Sequence, residues 1–106
     1  MNFTSSQLVR AAMTGRITAE ELDLGLDVAL RVERNIQCPI SGFLLDSRTA
    51  VVVQVQADDG TWRTEAIAHP SVVEGPQWPS IAERLDAAGL TWRTATATDI
   101  FAKMKG

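Results

Sequence analysis

Cysteine and histidine can serve together as nucleophile and base, and each occurs once in this sequence, at Cys38 and His69. A thiol followed later in the chain by an imidazole suits nucleophilic catalysis, in which the imidazole removes the thiol proton. Neither a nucleophile elbow nor a recognisable cysteine-protease sequence surrounds Cys38, and a cysteine before a proline in a loop is more often a small packed side chain. We therefore expect a protein without a catalytic centre. An enzyme that uses Cys38 and His69 is one alternative.

Metal ligands are also scarce. One cysteine and one histidine would need two carboxylates to complete a zinc site, and the sequence has no Cys-x-x-Cys or His-x-x-x-His spacing. The acidic pair Asp58-Asp59 precedes Gly60, and aspartate is typical of tight turns because its side chain bonds to nearby backbone groups. Glycine-rich phosphate loops are absent from the sequence as well. The sequence predicts no metal and no cofactor.

The tetrapeptide Thr-Trp-Arg-Thr occurs twice, each time shortly after a glycine. Side chains alternate along a strand, so we expect Trp62 and Trp92 to point into the core. Arg63 and Arg93 should then emerge together on an uncovered face, where guanidinium and amide groups suit recognition of carboxylates, phosphates or main chain. Trp78 lies in an adjoining loop and has a side chain frequent at interface hot spots. The predicted binding residues are Gln54, Gln56, Arg63, Glu65, Arg93 and Trp78.

The alternative for this face is an ordinary solvated surface. On such a surface Arg63 pairs with Glu65 or Gln56, and the tetrapeptide repeats by chance.

Two helices are predicted before the strands. Ser5 or Ser6 caps a short first helix, and a capping box at 18–21 starts a second helix that runs to about Arg34. Apolar residues cover about two thirds of the circumference of this second helix, whereas a helix that covers one sheet needs an apolar arc of only about 100°. We therefore expect the first helix to pack on the back of the second. A homodimer through the helix at 18–34 is the alternative.

Three strands follow, at 42–46, 50–58 and 61–68. Asp59-Gly60 is a strong hairpin signal, because a type I′ turn needs positive φ at both central residues. Pairing of Asp58 with Thr61 would place the strand residues 51, 53 and 55, together with Ala57 and Trp62, on the core face.

A second capping box at 80–83 starts another helix, residues 90–97 form a strand, and residues 98–106 form a last helical turn. The predicted fold class is α+β, with the order α-α-β-β-β-α-β-α and a mainly antiparallel sheet whose helices pack chiefly on one face. We expect a single domain over 1–106. Residues 18–97 are its core, and residues 1–17 are a short helix or an appendage.

This order of elements resembles the core of the PD-(D/E)xK nucleases over about residues 18–97. Asp46 lies roughly where that family has its metal-binding aspartate, and Gln54-Val55-Gln56 lies roughly where its (D/E/Q)-x-K motif falls. Gln56 replaces the lysine that would position the attacking water, and Glu65-Ala66-Ile67 lacks that lysine too. The resemblance implies, as an alternative function, a nuclease-like or other nucleic-acid-binding domain without a complete catalytic set.

The composition narrows the function classes further. The sequence has 10 Lys and Arg against 13 Asp and Glu. The resulting net charge of −3 disfavours binding of nucleic acid through its phosphates. The longest apolar run, 50–53, is too short to cross a membrane. The lone cysteine and the lack of a signal-like N-terminus favour a cytoplasmic location.

From these observations we expect a non-catalytic interaction protein of the inhibitor, immunity or anti-defence type encoded by phages or mobile elements. Its partner would be a protein or a ribonucleoprotein complex.

Overall fold

The computed structural model of the protein describes residues 3–105. This range contains five helices and three strands in the order α-α-β-β-α-α-β-α, and the expected α+β class with an antiparallel sheet is confirmed. The elements are α1 Ser5–Met13, α2 Ala19–Arg34, β1 Val51–Gln56, β2 Trp62–Ala68, α3 Pro70–Glu74, α4 Trp78–Ala87, β3 Trp92–Thr96 and α5 Thr98–Lys105.

The order differs from the predicted one in two places. The expected strand at 42–46 contributes only an isolated bridge, between Gln37 and Leu44. His69 and Pro70, expected to close the hairpin, instead begin the short helix α3, because proline suits the first helical turn and the His69 ring accepts a hydrogen bond from the Ser71 amide.

Helix starts are set by side chains that bond to free backbone amides. The capping box of α2 is confirmed, since Thr18 Oγ1 accepts the Glu21 amide at 3.1 Å and Glu21 Oε1 accepts the Thr18 amide at 2.9 Å. The cap of α1 is Thr4 and not Ser5 or Ser6, because Gln7 completes the same reciprocal pair with Thr4. The predicted capping box at 80–83 is wrong, since α4 already begins at Trp78 with a proline in its first turn.

Helix α1 packs on α2, as the wide apolar surface of α2 predicts. Leu8 of α1 is fully buried, and a Cβ added to Gly25 of α2 would lie 2.6 Å from Leu8 Cδ2. Glycine at this position lets the two helices approach closely. None of the helices within residues 3–105 has both the length and the apolar character of a membrane span.

The three strands form one antiparallel sheet in the order β2-β1-β3. The hairpin between β1 and β2 has a three-residue loop, in which the Gly60 amide donates to the Ala57 carbonyl at 2.9 Å and the Ala57 amide donates to the Thr61 carbonyl at 2.8 Å. Gly60 has a φ of 86°, and every residue with a positive φ within residues 3–105 is a glycine. The loop is a type I turn followed by a left-handed glycine, so the predicted two-residue type I′ turn is wrong.

This turn shifts the strand register by one residue near the loop. Gln54 pairs with Thr64, and Gln56 pairs with Trp62. Glu65 is an unpaired bulge residue, and beyond it the predicted pairing returns, with Val52 opposite Ile67. Two irregularities therefore cancel over the length of the hairpin.

The main core lies on a different face of the sheet from the predicted one. Val52 is fully buried and belongs to the core cluster together with Ile67 and several residues of α1 and α2. Val51 and Val53, which were expected to face this core, are buried on the other side of the sheet. Helix α4 contacts that second side through Trp92, whose register partner is Val55.

Candidate binding surfaces

Gln54 and Arg93 form the centre of a polar network on the core side of the sheet. The Arg93 Nε–H donates to Gln54 Oε1 at 2.9 Å, and Gln54 Nε2 donates to Thr64 Oγ1 at 3.2 Å. Thr64 Oγ1 in turn donates to Asp27 Oδ2 at 3.0 Å. Gln54 is buried within this network, which ties helix α2 to all three strands. Its side chain is therefore held in contacts within the fold.

Helix α2 also closes the part of the sheet that the sequence predicts to be open. The guanidinium of Arg31 donates to the backbone carbonyl of Thr64 at 2.6 Å. Nearer the hairpin turn, the guanidinium carbon of Arg93 lies 4.2 Å from the centre of the half-buried Trp62 ring. Gln56 is exposed nearby and donates to the Gly60 carbonyl.

Trp62 and Arg93 thus share one face, although they were expected on opposite faces. Arg63 lies on the other face, because it pairs with Val55. The one-residue shift at the turn causes both errors, since a slip of one residue moves a side chain to the opposite face. Arg63 Nε is 3.9 Å from Glu65 Oε1, and both side chains are exposed, which matches the expected alternative of a solvated pair.

Trp78 is half-buried within the fold. Its ring meets the edge of Trp92 with centroids 5.7 Å apart, and the Trp92 Nε1–H donates to Asp86 Oδ1 at 2.8 Å. The two tryptophans fasten α4 to β3. The six predicted binding residues are therefore divided: Gln54 and Arg93 share the polar network, Gln56 is exposed near the turn, Arg63 and Glu65 form an exposed ion pair, and Trp78 packs on Trp92.

Cys38 is a buried free thiol at the base of a loop. Burial acts to raise the pKa of Cys38, but hydrogen bonds from Ser41 and from the backbone amides of His69 and Ile40 outweigh it and lower the pKa to about 7. His69 approaches the sulfur with its backbone, while its ring Nδ1 accepts from the Ser71 amide at 3.1 Å. The imidazole therefore serves as the cap of α3.

Asp46, the acidic residue of the nuclease-like pattern, also forms its hydrogen bonds within the fold. Asp46 Oδ2 accepts a hydrogen bond from the Arg48 guanidinium at 2.8 Å, and Oδ1 accepts from the Arg48 amide at 2.9 Å. The Arg48 guanidinium holds the pKa of Asp46 well below its usual range. Within the described part of the chain, no three His, Cys, Asp or Glu side chains gather into a group that could hold a metal ion.

A surface that the sequence reasoning missed lies between α2 and β1. The backbone turns back on itself there, with the Leu45 amide donating to the Ile36 carbonyl at 2.9 Å and the Cys38 amide donating to the Phe43 carbonyl at 2.8 Å. We call residues 36–45 the apolar hairpin. Four of its large side chains are exposed: Ile36 at 67%, Ile40 at 48%, Phe43 at 57% and Leu44 at 67%.

A recess lies beside the tip of the apolar hairpin. It has a volume of about 260 Å³ and is lined by Ile40 and Phe43 on one side and by Val72 and Pro76 on the other. The Phe43 ring rests 5.1 Å from the His69 ring, which holds the aromatic side chain at the edge of the recess. A sequence signal existed, because no residue from Asn35 to Leu45 carries a charge.

In comparisons with known proteins, no family model, no curated protein and no solved structure matches this chain.

Proposed function

We propose that this protein binds another protein through the apolar hairpin and modulates that partner without catalysis. One observation carries the proposal: Ile36, Ile40, Phe43 and Leu44 are exposed together on one uncharged hairpin. Single exposed apolar residues are ordinary on a protein surface, but four of them within one short uncharged segment favour an interaction site.

The composition of the hairpin matches the centre of a protein interface. Such centres are depleted of charged residues and enriched in aromatic side chains, and Phe43 is the hairpin's aromatic residue. The partner that fits is a protein with an apolar projection for the recess and an apolar surface for Leu44 and Ile36. Lipid or nucleic acid fits less well, because the hairpin offers no cation to a phosphate.

The hairpin is also held in one conformation before binding. Backbone hydrogen bonds join its two arms, and the Gly42 amide donates to the Cys38 carbonyl at 2.9 Å. Gly42 has a φ of 77°, which a side chain would disfavour. A preformed loop loses less conformational entropy on binding, so more of its contact energy appears as affinity.

A binding role is also compatible with the positions of His69 and Cys38, the two side chains that catalysis would need. The imidazole of His69 caps a helix, and the Cys38 thiol is buried. We place the protein among inhibitor, immunity or anti-defence proteins of phages or mobile elements, which need only a complementary surface. We assign it to a reducing cytoplasm, where Cys38 remains a free thiol.

The test is capture of partners from a lysate of the source cells with matched variants. The double variant Phe43→Ser/Leu44→Ser should lose a discrete protein that the wild type captures. The control Val9→Ser/Leu30→Ser, which changes two side chains that are each 42% exposed on α1 and α2, should retain it. For the purified partner, Phe43→Ala should weaken binding about tenfold or more, as expected of an aromatic hot spot.

Equal capture by both double variants would refute the hairpin as the binding surface. Loss in the Val9→Ser/Leu30→Ser control alone would place the contact on the surface of α1 and α2, and the sequence also allows a homodimer through α2. A salt-sensitive affinity for nucleic acid that Arg93→Ala abolishes would favour the nucleic-acid alternative.

A further inference from the structure

A groove between α1 and α5 has a lining unlike the rest of this acidic protein. It has a volume of about 390 Å³, within the range of roughly 300–1,000 Å³ that ligand sites span. Its apolar lining includes Phe3, Phe101 and Met104, and its charged lining consists of Arg10, Arg16 and Lys105.

Two aromatic rings form the apolar floor. Phe3 and Phe101 stack with centroids 5.8 Å apart and an interplanar angle of 27°. Phe3 is buried, so the floor is continuous with the core and is held rigidly. The ammonium of Lys105 lies 5.1 Å from the centre of the Phe101 ring, which places a cation at the border of this floor.

Within residues 3–105, no ion pair forms at any of the three cations Arg10, Arg16 and Lys105. No Asp or Glu of that range lines the groove either. Arg16 donates to the Met104 carbonyl at 3.3 Å, which holds its guanidinium across the junction of α1 and α5. By contrast, Lys103 on the same helix as Lys105 pairs with Glu21 at 2.7 Å.

We propose that the α1–α5 groove binds a small amphipathic organic anion, a carboxylate attached to a hydrocarbon body. The hydrocarbon part would lie on the aromatic floor, and the carboxylate would lie among the three cations. Charge complementarity selects this class of ligand, because a neutral apolar molecule leaves the cations unpaired and a small inorganic anion leaves the floor exposed. This site is separate from the apolar hairpin and does not depend on the function proposed for it.

Decanoate is a suitable probe, with decanamide as a neutral molecule of equal chain length. In a ¹H–¹⁵N NMR titration, decanoate should perturb amides of α1 and α5, with a dissociation constant on the order of 1 mM or tighter for a ligand of this size. Decanamide should bind several-fold more weakly, because it lacks the charge. Equal affinity for the two molecules, or perturbation confined to residues 36–45, would overturn the proposal.

Charge variants separate this site from general surface attraction. Replacement of Arg10, Arg16 and Lys105 together by glutamine should weaken decanoate binding about tenfold, from roughly two- to threefold for each exposed cation. The same triple replacement should leave the affinity for decanamide unchanged. Lys103→Gln and Arg34→Gln also remove cations, but from outside the groove, and should leave decanoate binding within about twofold of wild type. Equal weakening by the control and groove variants would contradict a specific site.

Discussion

Replacement of Gly25 by alanine tests the packing of α1 on α2. A Cβ at this position would lie 2.6 Å from Leu8 Cδ2, whereas carbon atoms in contact usually lie about 3.5–4.0 Å apart. The end of the Leu8 side chain must therefore move by about 1 Å, and because Leu8 is fully buried, the displaced atoms press on neighbouring core residues. Overpacking of this kind costs about 1–3 kcal/mol. Alanine in place of a helical glycine returns about 1 kcal/mol. The expected net loss of unfolding free energy is about 0–2 kcal/mol.

A double-mutant cycle with Leu8→Ala tests whether the cost of Gly25→Ala in unfolding free energy comes from the contact with Leu8. Leu8→Ala alone should destabilise the protein by about 2–5 kcal/mol, because it leaves a cavity beneath α1. In that background the new methyl group at position 25 meets no Leu8 side chain, so Gly25→Ala should become stabilising by up to about 1 kcal/mol. Urea unfolding followed by circular dichroism measures all four free energies. If Gly25→Ala stabilised the wild type and the Leu8→Ala variant equally, the close approach of the two helices would be refuted.

Two further predictions concern buried polar groups. Because the pKa of Cys38 is about 7 in the folded chain and about 8.5 when unfolded, its thiolate stabilises the fold fully only above pH 9, and that stabilisation is lost as the pH falls towards 7. The stability advantage of wild type over Cys38→Ala should therefore grow by about 2 kcal/mol between pH 6 and 9.5 in urea titrations. A pH-independent difference would contradict the lowered pKa. Gln54→Leu should cost about 1–2 kcal/mol by removing the bonds to Thr64 and Arg93, while Gln56→Leu, at an exposed position, should change stability by less than about 0.5 kcal/mol.

Local sequence patterns predicted the α+β class, both N-terminal helices and most of the hairpin. The capping box of α2 is a contact between residues three apart, so its letters alone specify it. The pairing of Val52 with Ile67 was also predicted, although the turn that sets it was not. Asp59 accepts hydrogen bonds from the Thr61 amide and hydroxyl, and this local arrangement favours a three-residue loop over the two-residue one.

The predicted placement of Arg63 and Arg93 on one face is wrong for a related reason. Two register irregularities, at Gly60 and Glu65, exchange the faces of the residues between them, and a strict alternation of side chains cannot reveal a bulge. Gln54, which was expected on an open face, also bonds to Thr64, and Thr64 bonds to Asp27 of helix α2. Asp27 lies 37 positions before Thr64, and sequence periodicity contains no information about such a contact.

The apolar hairpin could have been noticed from its lack of charge, but its exposure could not. Cys38 and Leu45 in the same segment are buried, whereas Leu44 and Phe43 are exposed. The two groups have similar hydrophobicity, and buried Cys38 is paired with exposed Phe43 across the hairpin. Neither hydrophobicity nor strand alternation therefore separates the buried positions from the exposed ones in this segment.

The most direct test of the central claim is site-specific photo-crosslinking in the source cells. A photoreactive phenylalanine analogue placed at Ile40, at the edge of the recess, should yield one discrete covalent adduct with a second protein. The same analogue at Val9, an exposed position on α1, should not yield that adduct. A discrete adduct from Ile40 alone is the result that the proposed function predicts. Identical adducts from both positions, or none from Ile40, would contradict it.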